Sequence, residues 1–379
     1  MKLTIVVIAY NRGESLERLL FSLSQAYYDR EANLVISIDK SNDSNVIDIA
    51  KKFNWGFGNK EIIVHKKNLG LREHVLFCGQ LTSKYGNICV FEDDLFVSKN
   101  YFEYAIQVIE KYGDNELIAG FSLYSHKKNI ENNLPFIPLK NNSDVYLLQY
   151  AMSWGQIWTE RQWKNFFEWY SKNKDISFEN KVIPKHLSKW PDSSWLKYHI
   201  YFCIMEKKYF VYPYTSLSTN FGDLGTHAKF KDSSFQVELE FSDTPKVFKL
   251  NEIGILQRYD AFFESVNLKS YFKQTEYSDI EVDLYGEKRE HRSSYLLSSK
   301  KLDYKIIKCY GLELKPHELN IEYDVTGKYL KLYDLKNIQK NKEKEYMLTY
   351  QKATYYFGKL KFSILRNMVI QKVIDKIRR

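Results

Sequence analysis

A short apolar segment that ends in three consecutive carboxylates constrains the fold of this 379-residue chain more than any other feature. Residues 88–91 have the continuous apolar character of a central parallel strand, and Glu92, Asp93 and Asp94 follow them directly. Adjacent carboxylates repel one another, so a fold that places them at a strand end usually supplies a cation. Oxygen ligands without a nearby Cys or His suit Mn²⁺ or Mg²⁺. The segment therefore predicts a metal site, and the alternative interpretation is a solvated turn or a helix cap.

Strand-like and helix-like segments alternate from residue 3 to residue 91. Apolar residues recur at helical spacing between four apolar runs, which predict strands at residues 3–9, 34–39, 61–65 and 88–91. This order predicts an α/β fold with a doubly wound, mostly parallel sheet. The loops at the carboxyl ends of such strands form a crevice, and crevices of this kind bind nucleotides.

The predicted crevice collects polar and small residues from the strand ends. Those that we expect to bind a nucleotide ligand are Ala9, Tyr10, Asn11, Arg12, Asp39, Asn68, Gly70, Arg72, Glu92 and Asp93. The glycine fingerprints of other phosphate-binding folds, GxGxxG and GxxxxGKS/T, are absent from the sequence. We therefore expect phosphate to be held by a metal ion and an arginine instead of a glycine-rich loop.

Three later segments contain further candidate site residues. Trp154 and Gly155 lie outside the periodic aromatic helix that follows them, so they are candidates for a platform that contacts a sugar acceptor. Asp192 lies between two tryptophans, where desolvation would raise its pKa and suit a general base; the alternative is a helix N-cap. His227, in a glycine-punctuated loop, is a candidate ligand of the metal or of a diphosphate, and the alternative is a surface histidine.

The net charge of +9 is concentrated at the carboxyl end of the chain. Residues 359–379 carry seven Lys or Arg and one Asp, a net +6, which leaves +3 for the remainder. A basic tail on a weakly charged body argues against a nucleic-acid-binding protein. The four cysteines are far apart and include no CxxC pair, which fits a reducing compartment. Because the sequence shows neither a signal-peptide pattern nor an apolar run of membrane-spanning length, we expect a cytoplasmic protein.

The pattern of the sequence changes near residue 230. Charged, tyrosine-rich segments then alternate with short strands, which predicts a smaller accessory α+β region over residues 231–357. Residues 358–379 interleave apolar and basic side chains, as is typical of a basic amphipathic helix on an anionic membrane surface. The alternatives for this helix are a contact with a partner protein and ordinary packing on the body.

The order of the motifs in residues 1–230 resembles that of GT-A fold glycosyltransferases. The matching segments are Tyr10-Asn11-Arg12, Ile38-Asp39, Asn68-Leu69-Gly70 and Phe91-Glu92-Asp93-Asp94. Residues 90–95, with residues 101–104 after them, are similar more narrowly to the N-acetylglucosaminyltransferase I family (family 13), in which a Glu-Asp-Asp metal motif precedes Phe-Phe-Glu-Tyr. Bacterial family 2 glycosyltransferases share the first half of the pattern. Residues 1–230 are therefore predicted to form a GT-A glycosyltransferase domain.

This resemblance implies an inverting transfer of a sugar from a nucleotide sugar, with Mn²⁺ bound through Asp94. Asp39 would match the residue that contacts uracil, and Arg12 would match a residue near the nucleotide. The chain departs from N-acetylglucosaminyltransferase I at the catalytic aspartate, which in that family directly follows the tryptophan that matches Trp195. Leu196 stands at that position here, and Asp192 precedes the tryptophan.

The sequence thus predicts a metal-dependent glycosyltransferase that moves a sugar from a UDP-linked donor to a hydroxyl of a glycan or lipid-linked glycan. The tail predicts a cytoplasmic enzyme on the inner face of the cell membrane, in bacterial surface-polysaccharide synthesis. One alternative is a nucleotidyltransferase that makes nucleotide sugars, although residues 11–14 match its Gly-rich basic loop poorly. The other is a non-catalytic, membrane-associated scaffold for glycan assembly.

Overall fold

The computed structural model of the chain describes residues 1–223, 233–359 and 361–377. It divides into two compact units: Met1–Glu131 with Pro138–Asn267, and Asn132–Ile137 with Leu268–Arg379. The division lies later than the boundary predicted near residue 230, because residues 233–267 belong to the first unit. The functions predicted for the three regions are not tested by this division and stay predictions.

Four parallel strands and four helices form the amino-terminal part of the first unit. The strands are β1 (Leu3–Ala9), β2 (Ala32–Ile38), β3 (Lys60–Val64) and β4 (Asn87–Glu92). The helices are α1 (Gly13–Ser24), α2 (Asn45–Lys52), α3 (Gly70–Gln80) and α4 (Thr82–Tyr85). All seven residues of β1 are buried, as a strand covered on both faces requires. The strand order β3-β2-β1-β4 confirms the predicted α/β class.

Beyond β4 the sheet becomes mixed and reaches nine strands within the described residues, in the order β11-β7-β9-β6-β8-β4-β1-β2-β3. The added strands are β6 (Ile118–Ser122), β7 (Val145–Leu148), β8 (Gln156–Trp158), β9 (Tyr209–Pro213) and β11 (Arg258–Tyr259). Two further strands, β5 (Leu95–Val97) and β10 (Ser218–Asn220), pair with each other. The helices here are α5 (Tyr101–Tyr112), α6 (Glu160–Asn173), α7 (Lys185–Lys189) and α8 (Leu196–Met205).

Side chains at the start of α5 explain why the chain beyond residue 233 stays with the first unit. The Asn100 amide donates to the Glu240 carboxylate at 3.2 Å and accepts from the Lys246 backbone N–H at 2.9 Å. The Gln107 side chain likewise accepts from the Phe248 N–H at 2.8 Å. These hydrogen bonds fix an otherwise irregular segment to α5, and the sequence pattern of that segment carries no sign of them.

The second unit contains its own sheet and core. Its strands, in the order β12-β13-β15-β14, are β12 (Ile280–Asp283), β13 (Tyr295–Ser298), β14 (Tyr304–Tyr310) and β15 (Leu330–Ile338). Its helices are α9 (Leu319–Glu322), α10 (Glu345–Phe357) and α11 (Phe362–Ile377). Within the described part of the chain, no helix combines the length and apolarity that crossing a bilayer requires.

Candidate active site

The register of the first four strands brings the predicted crevice residues to one edge of the sheet. Ile8 pairs with Glu92 and Ala9 with Ile38, so β1, β2 and β4 end side by side. The loops that continue from these strands begin at Tyr10, Asp39 and Asp93. Strand pairing therefore brings together the backbone positions of three predicted donor-binding segments that are far apart in sequence.

The carboxylates of the acidic triplet have an internal counter-charge. Arg12 forms ion pairs with both aspartates, through Nη1 to Asp94 Oδ2 at 2.9 Å and through Nη2 to Asp93 Oδ1. Both aspartates are buried. Burial alone would lower the pKa of Arg12, but the two neighbouring carboxylates outweigh it and raise that pKa. The sequence placed Arg12 near a nucleotide and did not predict that it pairs with the acidic triplet.

The first two acids of the triplet hold protons more tightly than ordinary carboxyl groups. Burial, reinforced by the charge of Asp94, raises the pKa of Glu92 to about 8. Burial also raises the pKa of Asp93 to about 6, against the opposing effect of Arg12. Three carboxyl groups therefore share a small volume in which their full ionisation is unfavourable without more positive charge than Arg12 supplies.

One oxygen of the triplet fits a cation ligand. Asp94 Oδ1 is buried and has no hydrogen-bond partner among the described residues. In the same part of the chain, no group of three or more His, Cys, Asp or Glu side chains is arranged to enclose a metal. A Mg²⁺ or Mn²⁺ ion bound by one or two carboxylates, with substrate phosphates as further ligands, needs no such enclosure. The donor set therefore fits a metal that binds together with its substrate.

Asp39 holds the loop that leads into α3. Its carboxylate accepts backbone hydrogen bonds from Lys40 and Leu69, each at 2.8 Å, and from Gly70 at 3.0 Å. Asn68 completes the arrangement by donating to the Lys40 carbonyl at 3.0 Å. Gly70 has a φ of 75°, a conformation that glycine adopts without strain. The structure thus joins three predicted donor-site residues, while the predicted uracil contact of Asp39 stays a prediction.

A buried histidine lies behind this loop, which sequence reasoning missed. Ser37 Oγ is within hydrogen-bonding distance of His74 Nε2 at 2.8 Å and of His65 Nε2 at 3.0 Å. Desolvation lowers the pKa of His74 to about 4, so its ring is neutral near pH 7. The two rings lie edge to face. We assign them a structural role in supporting the end of β2.

The predicted environment of Asp192 is wrong. Its side chain is 97% exposed, and its carboxylate accepts a hydrogen bond from Lys197 Nζ at 2.8 Å. That hydrogen bond lowers the pKa of Asp192 instead of raising it. The reason is that Trp195 is buried in the core against Trp158 and does not cover the carboxylate. The N-cap alternative is also wrong, because Trp195 holds the N-cap position of α8.

Arg72 connects the Asp39 loop to the segment of Asp192. Its guanidinium donates to the Asp192 carbonyl at 2.9 Å and lies over the Tyr198 ring, 5.6 Å from the centroid. Arg72 was predicted to bind the donor, and the structure instead shows it bridging α3 and the start of α8. A donor contact by the same side chain stays a prediction.

Trp154 and Gly155 lie in a tight connection next to the acidic triplet. The adjacent Ser153 hydrogen-bonds the Glu92 side chain. Ser218 Oγ donates to the Trp154 carbonyl at 2.6 Å, and the Leu123 N–H donates to the Gly155 carbonyl at 2.9 Å. The Trp154 ring is only partly buried. The segment thus lies beside the acidic triplet, and its predicted contact with an acceptor stays a prediction.

A second arginine–aspartate pair lies on α1 and was missed by sequence reasoning. Asp223 Oδ2 accepts from Ser15 Oγ at 2.8 Å and forms an ion pair with Arg18, whose guanidinium stacks 3.8 Å from the Phe221 ring centroid. The partners are 205 residues apart, so no local pattern reveals them. The pair fixes residues 221–223 to α1. His227, the other predicted metal ligand, lies outside the described residues.

Residues 4–175 match the family model described as Glycosyl transferase family 2. Similar solved structures include residues 1–349 of TarS from S. aureus in complex with UDP-GlcNAc, with 15% identity, 60% of each chain covered and a TM-score of 0.41. The mannosyltransferase PcManGT from Pyrobaculum calidifontis, in complex with GDP-Man and Mn²⁺, shows 12% identity and a TM-score of 0.33, with 42% of this chain and 45% of that chain covered. The chain thus spans 60% or less of these structures. No curated protein matches the sequence.

The matched region contains β1–β4 and the acidic triplet, which carry the segments on which the predicted resemblance rested. The match is to family 2, the broader of the two resemblances, and the narrower similarity to family 13 stays a prediction. Residues 4–175 thus form a domain that resembles the family 2 glycosyltransferases, and its α/β sheet carries the motifs predicted for the GT-A fold.

Proposed function

We propose that the chain is a metal-dependent glycosyltransferase that transfers a sugar from a UDP-linked donor to a hydroxyl of a glycan acceptor, with inversion. The observation that carries this proposal is the buried Asp93–Asp94 pair at the carboxyl edge of the sheet, where Asp94 Oδ1 has no partner among the described residues. An unsatisfied, desolvated group binds a ligand more strongly than a solvated group does, and catalytic sites rely on such groups.

Asp94, supported by Asp93, would hold the Mn²⁺ or Mg²⁺ ion. When bound, the ion neutralises the charge that develops on the diphosphate leaving group. Arg12 lies against the same two carboxylates and offers a second positive charge to the donor diphosphate. His227 remains proposed as a further metal or diphosphate contact. Asp39 and the start of α3 would bind the base.

Trp154 and Gly155, next to Glu92 through Ser153, are proposed to contact the acceptor. An exposed and ionised Asp192 would be a weak general base, since an efficient base has a pKa near the working pH. Asp192→Asn and Glu92→Gln, compared in one assay, would show which carboxyl group deprotonates the acceptor hydroxyl.

We further propose that the enzyme is cytoplasmic and lies on the inner face of the cell membrane, where it elongates a lipid-linked glycan in bacterial surface-polysaccharide synthesis. What supports membrane attachment is α11, where all described side chains are exposed, including Leu365, Val369 and Val373. Lys and Arg alternate with these apolar residues. Cationic residues near an anionic membrane contribute about 1 kcal/mol each.

The test is titration calorimetry of the full chain against UDP-, GDP-, CMP- and dTDP-sugars, with and without Mn²⁺. Asp94→Ala is the test variant, and Asp48→Ala, at an exposed position of α2, is the matched control. We expect Mn²⁺-dependent binding of UDP-sugars, retained in the control and lost in Asp94→Ala. Absence of nucleotide binding under every metal condition would contradict the proposal and favour the scaffold alternative. Pyrophosphate-dependent conversion of the nucleotide sugar to a nucleoside triphosphate and a sugar 1-phosphate would favour the nucleotidyltransferase.

A further inference from the structure

Helix α10 presents aromatic and apolar side chains to solvent. Tyr346, Tyr350 and Phe357 follow one another at intervals that place them on one face of the helix, and they are 67%, 64% and 50% exposed. Met347, beside them, is 50% exposed. None of the thirteen residues of α10, all of which the structure describes, is buried. An ordinary surface helix turns its apolar stripe toward the core, so this arrangement requires a different explanation.

The opposite face of α10 is attached to the second unit through polar groups. Lys352 Nζ donates to the Tyr285 carbonyl at 2.7 Å, and Tyr355 Oη donates to the Leu314 carbonyl at 2.6 Å. Tyr356 Oη is 2.7 Å from His317 Nδ1. These contacts fix the rotation of the helix about its axis. The exposure of Tyr346, Tyr350 and Phe357 is therefore a consequence of how the helix docks.

The positive charge of the protein lies in the same part of the chain. Residues 340–379 contain eleven Lys or Arg and three Asp or Glu, a net charge of +8. The whole chain has a net charge of +9, so the other 339 residues together contribute only +1. Exposed aromatic side chains and nearly all of the net charge thus occur together in one segment.

We propose that the exposed face of α10, formed by Tyr346, Met347, Tyr350 and Phe357, lies on an anionic lipid bilayer as a second membrane-binding element besides α11. Tyrosine suits this position because its ring enters the apolar layer while its hydroxyl stays at the polar boundary. Lys340, Lys342 and Lys344, which directly precede α10 in the sequence, attract anionic headgroups. Two helices in contact with the bilayer, one of them rigidly docked, would fix the orientation of the second unit on the membrane, which a single terminal helix does not.

The charge distribution favours a bilayer over a second copy of this chain. A symmetric dimer through this face would bring two net-positive segments together, each +2 over residues 340–358 and +8 over residues 340–379, and like charges across an interface oppose association. An anionic bilayer instead offers complementary charge over its entire surface. The proposal extends the membrane contact proposed above for α11 and does not depend on the identity of the sugar donor.

The test measures co-sedimentation of the full chain with vesicles of phosphatidylcholine, with and without phosphatidylglycerol. The test variant is Tyr346→Ser/Tyr350→Ser/Phe357→Ser, and the matched control is Phe241→Ser, which removes a side chain that is 82% exposed in the first unit. We expect the wild type and the control to bind only vesicles that contain phosphatidylglycerol. We expect the test variant to bind them about tenfold more weakly.

A second measurement places a probe on the helix itself. In a Cys309→Ser background, which removes the one partly exposed thiol, Tyr350→Cys is labelled with an environment-sensitive fluorophore. Insertion into the bilayer predicts a blue shift and quenching by nitroxide-labelled lipids. The same label at Phe241→Cys is expected to show neither change. This readout does not require the triple variant to retain its fold.

Equal vesicle binding by the triple variant and the wild type, together with an unquenched label at position 350, would overturn the proposal. So would concentration-dependent dimers in ultracentrifugation that the triple variant abolishes, because a second copy would then cover this face. Nucleotide-sugar binding measured without vesicles separates the two hypotheses. Loss of nucleotide binding would contradict the glycosyltransferase proposal. Intact nucleotide binding without any vesicle binding by the wild type would contradict the membrane contacts proposed for α10 and α11 and leave the glycosyltransferase proposal unaffected.

Discussion

Asp93 and Asp192 both lie close to aromatic residues in the sequence, but their environments in the folded chain are opposite. Asp93 is 3% exposed, pairs with Arg12 and has a raised pKa. The Asp192 side chain is 97% exposed, pairs with Lys197 and has a lowered pKa. Asp93 is fixed by a strand end, where pairing with neighbouring strands determines burial. Asp192 lies in a short connection, where nothing in the sequence determines the direction of the neighbouring indole rings.

Substitutions at the two acidic sites should differ most in their effects on catalysis. We expect Asp94→Asn, next to Asp93, to lower kcat/KM about a thousandfold, because the loss of metal binding removes several kcal/mol of transition-state stabilisation. We expect Asp192→Asn to lower it less than about tenfold. Steady-state transfer kinetics with a UDP-sugar and Mn²⁺ measure both. A loss of about a hundredfold or more in Asp192→Asn would restore Asp192 as the general base and break the comparison.

The second largest difference between the two sites should be in the free energy of unfolding. Arg12→Met leaves two buried carboxylates without their counter-charge, so we expect the metal-free protein to lose about 3–5 kcal/mol of unfolding free energy. Lys197→Met removes the ion-pair partner of the exposed Asp192 and the hydrogen bond from Lys197 to the Trp190 carbonyl at 3.3 Å, and we expect less than half of the Arg12→Met loss. Urea unfolding with and without Mn²⁺ provides the measurement. Mn²⁺ together with UDP should recover part of the Arg12→Met loss; equal losses in both variants would contradict the burial argument.

The pH dependence of stability should differ in sign between the two sites. Because the pKa values of Glu92 and Asp93 are raised in the folded state to about 8 and about 6, their contribution is fully present below the pKa values of the unfolded chain. It is lost as the pH rises through about 6 and then about 8. Asp192, with a lowered pKa, contributes only above its unfolded pKa and loses that contribution on acidification.

We therefore expect the thermal midpoint of the metal-free protein to fall between pH 5 and pH 8, and Glu92→Gln to flatten that fall by a few degrees. Asp192→Asn should leave this part of the profile unchanged. Calorimetric scans at constant ionic strength make the comparison. A midpoint that rises with pH over the same interval, or a Glu92→Gln profile parallel to the wild type, would show that the carboxyl groups of the triplet ionise normally.

A third acidic site, Asp39, should show the smallest effect. Asp39→Asn keeps one acceptor oxygen for Lys40 and Leu69 but replaces the oxygen that accepts from Gly70 with an amide donor. The expected cost is about 1 kcal/mol of unfolding free energy. Hydrogen exchange of the Gly70 amide is the local readout. Unchanged protection of that amide would indicate that the loop is held by other contacts.

The parts of the fold that sequence reasoning predicted are those with strong periodicity. The predicted strands 3–9 and 61–65 agree with Leu3–Ala9 and Lys60–Val64 to within one residue, because buried parallel strands must be apolar throughout. The convergence of Arg12, Asp39 and the acidic triplet at one edge then follows from strand order. The direction of a side chain does not follow from strand order, which is why the predicted burial of Asp192 was wrong.

Long-range hydrogen bonds explain the remaining differences between the predicted and the observed structure. The contact of Asn100 with Glu240 holds residues beyond 233 in the first unit, so the change of composition near residue 230 does not mark the structural division. The Arg18–Asp223 pair likewise joins residues that are 205 positions apart. A single sequence shows neither pair, since each consists of ordinary polar residues at unremarkable positions.

The Asp39 loop has an electrostatic consequence for α3. The first backbone N–H groups of a helix carry the positive end of its macrodipole, and in many nucleotide-binding folds a phosphate occupies that end. Here the Leu69 and Gly70 N–H groups already donate to a carboxylate of the protein itself. The positive end of the α3 dipole is thus occupied by a carboxylate of the protein itself, and the diphosphate of the proposed donor would depend for its stabilisation on side-chain cations and on an ion from solution.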